Sequence, residues 1–234
     1  LEAVISVAKV GKYATSESGD TLEMVERPGG GISLVLADGQ RSGKPAKAIS
    51  NVVTRKALSL LADGVRDGAA ARAASDYLFT YRSGKVIATL NILSIDLQSQ
   101  SMVIVRNNPA PVVIADHNDL HILDEPALAV GSRRNIRPAI QEFPLRESLC
   151  AFVFTDGLTH AGDRYGEPLN IMDCVTELLE THADVPSSWA EKLLASAVEA
   201  DQSRPSDDIT VLVAAILPSD GDDVRRLFVR LPLP

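Results

Sequence analysis

The sequence predicts an α+β fold built on antiparallel sheets, and two observations lead to it. Between residues 86 and 124, four apolar, β-branched runs (86–97, 101–106, 110–115 and 119–124) follow one another on connections as short as Gln98-Ser99-Gln100. Consecutive strands on short turns pair as an antiparallel meander. Helical periods lie outside that block, near 44–63 and 68–82 before it and near 169–182 and 186–201 after it. A doubly wound parallel sheet would instead alternate strands with helices. A face-to-face pair of sheets with helices on the outside is compatible with this order.

The chain opens on a strand near 2–9, since Leu1 to Ala8 lacks the charged and long apolar regions of a secretory signal. Leu rather than Met at position 1 points to a domain cut from something longer. Gly29-Gly30-Gly31 reads as a hairpin turn before the strand 32–38. Two Ala-rich helical periods follow, then the four-strand block, then strands near 139–145 and 149–155. The helix near 186 carries Pro186 just inside its start, with Ser187 and Ser188 beside it. A last strand spans 208–216; Leu217 to Asp223 reads as a polar linker and Val224 to Pro234 as an extra strand or tail. The expected organisation is one domain over 1–216 and a C-terminal extension over 217–234.

The 234 residues are 45% hydrophobic, enough for one sizeable core, but only 4% aromatic, so Val, Leu, Ile and Ala must fill it. A formal net charge of −8 argues against nucleic acid or an anionic membrane as partner, because phosphate contacts need clustered Lys and Arg. Arg133-Arg134 and Arg225-Arg226 are too short to reverse this. No apolar run approaches the roughly 20 residues that span a bilayer. Cys150 and Cys174 lack the spacing of a disulfide framework and read as buried thiols of a cytoplasmic protein.

Four acidic motifs carry the chemistry: Ser18-Gly19-Asp20, Ala37-Asp38-Gly39, Thr155-Asp156-Gly157 and Ser206-Asp207-Asp208-Ile209-Thr210. Asp38 and Asp156 end apolar strands, Asp207 opens one, and Asp20 falls in a Gly- and Ser-rich loop. Carboxylates beside buried apolar surface must be paired, hydrogen-bonded or metal-bound. With no Lys or Arg within the motifs to pair them, they point to a hard-cation site.

The order of these motifs, with Asp38-Gly39-Gln40-Arg41-Ser42-Gly43-Lys44-Pro45-Ala46, Asn107-Asn108-Pro109-Ala110-Pro111 and Phe154-Thr155-Asp156-Gly157, resembles the metal-dependent serine/threonine phosphatases of the PP2C type. The similarity runs from Val4 to Ala215 and is greatest to the bacterial SpoIIE, RsbU and RsbX branch, in a compact, RsbX-like arrangement. It implies a four-layer α-β-β-α sandwich and two divalent cations, Mn2+ or Mg2+. Asp38 would bridge both, Asp156 and Asp207 would complete one, and Asp20 with the Gly39 carbonyl would serve the other. Asp208 would stand behind these ligands or replace one. A metal-activated water would attack the phosphorus of phosphoserine or phosphothreonine, with no protein nucleophile. The implied partner is a phosphorylated STAS-type regulatory protein, an anti-sigma-factor antagonist or stress-signalling scaffold. Gln40 stands where larger relatives have His, and Lys9 and Lys12 lie where they have a phosphate-holding Arg. His160 is the candidate proton donor and Arg41 the candidate phosphate contact, although both also read as surface loop residues.

Other phosphatase classes fail on their own requirements. Asp156 and Glu180 stand six residues after Cys150 and Cys174, where a cysteine-dependent enzyme needs Arg. Gly29-Gly30-Gly31 lacks the Lys of a phosphate-binding loop, and Asp38-Gly39-Gln40 lacks the second Asp of a haloacid-dehalogenase nucleophile. The remaining alternative is a catalytically weak pseudophosphatase that binds a phosphorylatable partner.

Overall fold

The computed structural model describes residues 1–117, 119–181, 186–219 and 221–232. In chain order its elements are β1 (Glu2–Val10), β2 (Asp20–Glu26), β3 (Gly31–Gly39), α1 (Gly43–Ala62), α2 (Asp67–Tyr81), β4 (Ala88–Asp96), β5 (Ser101–Asn107), β6 (Val112–Asp116) and β7 (Asp119–Leu123). They continue with β8 (Ala139–Pro144), β9 (Leu149–Phe154), α3 (Asp156–Thr159), α4 (Ile171–Thr181), α5 (Trp189–Ala200) and β10 (Ile209–Leu217). One antiparallel sheet, ordered β1-β10-β9-β6-β7, holds the first and last strands and is called here the terminal sheet. The other, ordered β2-β3-β4-β5-β8, is the hairpin sheet.

Alternation along the strands builds the layers. Leu34 and Leu36 of β3 face the gap between the sheets, where they join Leu93, Ile104, Ile114, Val153 and Leu212. Val35 and Ala37, on the opposite face, pack under α1 and α2 with Val53, Ala57 and Leu78. Phe152 and Phe154 of β9 turn outward to α4 and α5, and the Phe152 ring stacks on Trp189 at 5.7 Å. Burial on both faces is why β3, β9 and β10 read as unbroken apolar runs. Helix, sheet, sheet, helix is therefore the observed order, with a core of aliphatic residues and Ala.

Several expectations need correction. The block 86–124 is not one meander: β4 and β5 pair in the hairpin sheet, whereas β6 and β7 pair in the terminal sheet. Asn107 to Pro111 carries the chain across the gap. Asn108 stabilises the crossing by accepting from the Ala110 amide at 2.9 Å, while the buried Arg106 donates to the Asn108 carbonyl at 2.8 Å. Asp20, expected in a loop, opens edge strand β2 (Asp20–Glu26), whose alternation is broken by Thr21, Glu23 and Glu26 and carries no strong apolar signature. Gly29 to Gly31 forms the turn between it and β3, as expected. Pro186–Ser188 forms a 3-10 turn ahead of α5, which starts at Trp189. After Leu217 the described residues form no extra strand. Cys150 is buried and Cys174 half-buried, both as free thiols. His117 and His121 are exposed, and His182 lies outside the described residues. Among the described residues no helix is long and apolar enough to cross a membrane.

Candidate metal centre

The four acidic motifs meet at one end of the sandwich. Asp20 opens β2 and lies directly opposite Asp38 near the end of β3. On the other sheet, Asp156 follows β9 as the first residue of α3, and Asp207-Asp208 precede β10, which pairs with β9. The sheets are tied at this end by side chains. Thr155 and Thr210 hydroxyls both donate to Asp20 Oδ2, at 3.1 and 2.5 Å. Asp208 accepts the Lys12 amide on Oδ1 and the Gly19 amide on Oδ2, each at 2.8 Å. Both of its oxygens thus hold the loop that leads to Asp20.

Two glycines set how closely the backbones approach. A Cβ at Gly39 would lie 2.0 Å from the Ala46 carbonyl oxygen, so only Gly lets α1 seat against the end of β3. A Cβ at Gly157 would lie 2.1 Å from the Asp208 carbonyl oxygen, so the turn into α3 can rest on the segment that carries Asp207. The two Asp-Gly pairs are therefore packing devices as well as carboxylate carriers.

The electrostatics of the cluster are unusual. Burial pushes the Asp38 carboxyl up to about 9, with further increases from Asp20, Asp156 and Asp207. Burial also raises Asp20 to about 6, against the hydroxyl of Thr210 and the charge of Lys9, which pull it down. Asp156 is raised as well, by burial and then by Asp207. Asp20 Oδ1 is buried and has no hydrogen-bond partner. Carboxylates that raise one another's pKa, with a buried unpartnered oxygen on Asp20, are oxygen donors of the kind a hard divalent cation takes. They do not form a closed cage: among the described residues no three Asp, Glu, His or Cys side chains stand close enough together to hold an ion.

The remaining candidates lie around this cluster. Asp207 Oδ1 accepts the Asp208 amide at 2.9 Å and lies 4.0 Å from Lys12 Nζ. His160 Nδ1 is 3.1 Å from Asp163 Oδ2 and its side chain is 63% exposed, while its charge opposes the rise of the Asp156 carboxyl. Arg41 is exposed on the β3–α1 loop with φ +81. Sequence reasoning missed Lys47, whose Nζ donates to the Asp20 carbonyl at 2.6 Å, as Lys9 Nζ also does. The signal was a polar stripe on α1: Lys47, Ser50 and Thr54 interrupt the apolar face made by Ile49, Val53, Ala57 and Leu61. Ser50 and Thr54 are fully buried, and Ser50 donates to the Gly19 carbonyl at 2.5 Å.

Residues 28–217 match the family model of stage II sporulation protein E, SpoIIE. This chain belongs to the SpoIIE family. The match takes in Asp38, Asp156, Asp207 and Asp208 and starts after Asp20. No curated protein matches the chain by sequence. Among solved structures, a PP2C phosphatase domain with a regulatory fragment of SpoIIE from Bacillus subtilis superposes with a TM-score of 0.79 at 19% identity, over 92% of this chain and 64% of that one. RsbX in complex with magnesium gives 0.68 at 14% identity, over 92% and 95%. The catalytic domain of the serine/threonine phosphatase PstP with two manganese ions gives 0.70 at 15%, over 92% and 99%. The SpoIIE-family chain described here thus has the PP2C fold.

Proposed function

We propose that this chain is a cytoplasmic, manganese- or magnesium-dependent phosphatase acting on phosphoserine and phosphothreonine of a STAS-type regulatory protein. The observation behind this reading is the convergence of Asp20, Asp38, Asp156 and Asp207 at one end of the sandwich, with Asp38 pushed up to about 9 by burial and by its acidic neighbours. Membership of the SpoIIE family and the magnesium and manganese bound by RsbX and PstP support hard cations as the missing countercharge. Asp38, Asp20, Asp156, Asp207 and the Gly39 carbonyl are the groups that would hold them. When bound, such ions lower the pKa of water and offset charge on a phosphoryl group.

The chain's own residues do the positioning. Thr155 and Thr210 fix Asp20 by one oxygen and leave the other free to ligate. With both oxygens committed to backbone amides, Asp208 serves to position the loop rather than to bind an ion. Lys9 and Lys47 bring two ammonium groups to the Asp20 carbonyl and offset part of the negative field that a phosphorylated substrate would meet.

The open arrangement of the acids favours a second reading, a pseudophosphatase that binds its partner without turnover. One experiment separates the two: phosphate release from a phosphoserine protein with manganese, with chelator, and with Asp156→Asn. Release that needs manganese and drops at least about 100-fold in Asp156→Asn supports the enzyme, because losing a ligand costs at least as much as losing an outer-sphere partner. No release from wild type with several substrates supports the binding module. Release that survives chelator refutes both.

A further inference from the structure

At the other end of the hairpin sheet, roughly 23 Å along β3 from Asp38 to Gly31, lies a cavity of about 650 Å³ that the acidic cluster does not reach. Its floor is a buried ion pair. Arg27 Nη1 donates to both Asp67 oxygens at 3.1 and 3.2 Å and to Ser33 Oγ at 3.0 Å. Arg66, Arg72 and Arg137 stand exposed around the same cavity.

The charges here do not cancel. The lining holds four arginines and three carboxylates, a surplus of one positive charge: Asp67 and Asp96 share Arg27, while Glu142 accepts from the neutral Ser101 hydroxyl. Arg66, Arg72 and Arg137 have no carboxylate partner among the described residues. Arg66 also precedes α2, whose first turn carries the buried carboxylate Asp67 at its positive end. Three unpaired guanidiniums at one cavity are an exception in a chain of net charge −8. Their planar forks match phosphate oxygens in pairs.

We infer that this cavity is an anion site for a small molecule carrying two or more linked phosphate groups, separate from the acidic cluster and independent of metal. Guanidiniums that come from both α2 and the approach to β8 suit a ligand with more than one phosphate group. The apolar wall of Val103, Pro138 and Ile140 leaves room for a non-polar portion of the ligand.

The test is calorimetric titration with pyrophosphate at low salt in the presence of chelator, with inorganic phosphate as comparator. Saturable binding of one pyrophosphate per chain, tighter than phosphate, is expected. Arg72→Gln and Arg137→Gln should each weaken it at least about 10-fold, the usual scale for a charge-assisted bond. Arg72→Lys, which keeps the charge but loses the fork, should weaken it less. Arg82→Gln, at the opposite end of α2, and Asp156→Asn, in the acidic cluster, should leave it unchanged. Absence of saturable binding to wild type overturns the site. So does binding unaffected by both Gln variants, or lost equally in Arg82→Gln or Asp156→Asn. Phosphatase activity plays no part in this readout, so the two readings fail independently.

Discussion

Asp38 keeps its proton across the neutral range because burial and three neighbouring acids oppose its charge. In the unfolded chain it ionises near ~3.9, whereas in the folded chain it does so at about 9. Between those values the folded chain binds the extra proton, so the stability Asp38 contributes at low pH is lost as pH rises. Asp20, raised to about 6, acts with the same sign over a narrower window. In chelator, the protein should melt at a lower temperature near pH ~8 than near pH ~5, and Asp38→Asn should flatten that slope. Scanning calorimetry decides it; identical slopes for the two proteins would refute the assignment. Asp208 gives a second prediction. Asp208→Ala removes two charge-assisted bonds to the Lys12 and Gly19 amides. It should cost about 2–4 kcal/mol in urea unfolding and weaken manganese binding roughly 10- to 100-fold. At this scale the carboxylates were legible, since Asp38 and Asp156 end apolar runs. The groups that hold them were not: Thr155, Thr210 and Lys47 reach Asp20 across the two sheets and from α1, and contacts of such long range leave no local pattern.

Helix α1 shows how an element is placed by a single missing methyl. Gly39 lets the Ala46 carbonyl come within 2.0 Å of where a Cβ would stand. Gly39→Ala should cost about 3 kcal/mol in urea unfolding, at the upper end of ordinary overpacking. An undiminished midpoint would show that α1 can slide. Elements buried on both faces, such as β3, β9 and β10, announced themselves as apolar runs. Edge strand β2 did not, because its short run mixes Asp20, Thr21, Glu23 and Glu26 with Leu22, Met24 and Val25 and shows no sustained apolar stretch. The meander failed for a different reason. Short connections predict neighbours, and β4–β5 and β6–β7 are neighbours. Which sheet each hairpin joins is set by long-range pairing, β6 with β9 on one side and β4 with β3 on the other, and such pairing has no local signature.

Across the whole molecule, stability resides in three apolar layers that end with β10. Beyond it, Arg225 meets Glu26 at 3.4 Å and Arg226 pairs within the segment to Asp222, all of them exposed, while Phe228 is 88% exposed. Removing residues 218–234 should therefore leave the urea unfolding midpoint of the domain unchanged within error, because exposed ion pairs add little. A lowered midpoint would place the domain boundary further toward the C-terminus. The pairing of β1 with β10 also governs when the protein can start working. Synthesis delivers Asp20 and Asp38 early, on a hairpin sheet that needs only β8 to finish. Asp207 emerges next to the last strand, and until that strand arrives β1 has no partner in its sheet. A nascent chain that ends before residue 209 would carry all of these acids and the whole hairpin sheet but lack β10, the strand that joins β1 to β9, so the terminal sheet behind Asp156 and Asp207 closes only when translation of the domain is nearly over.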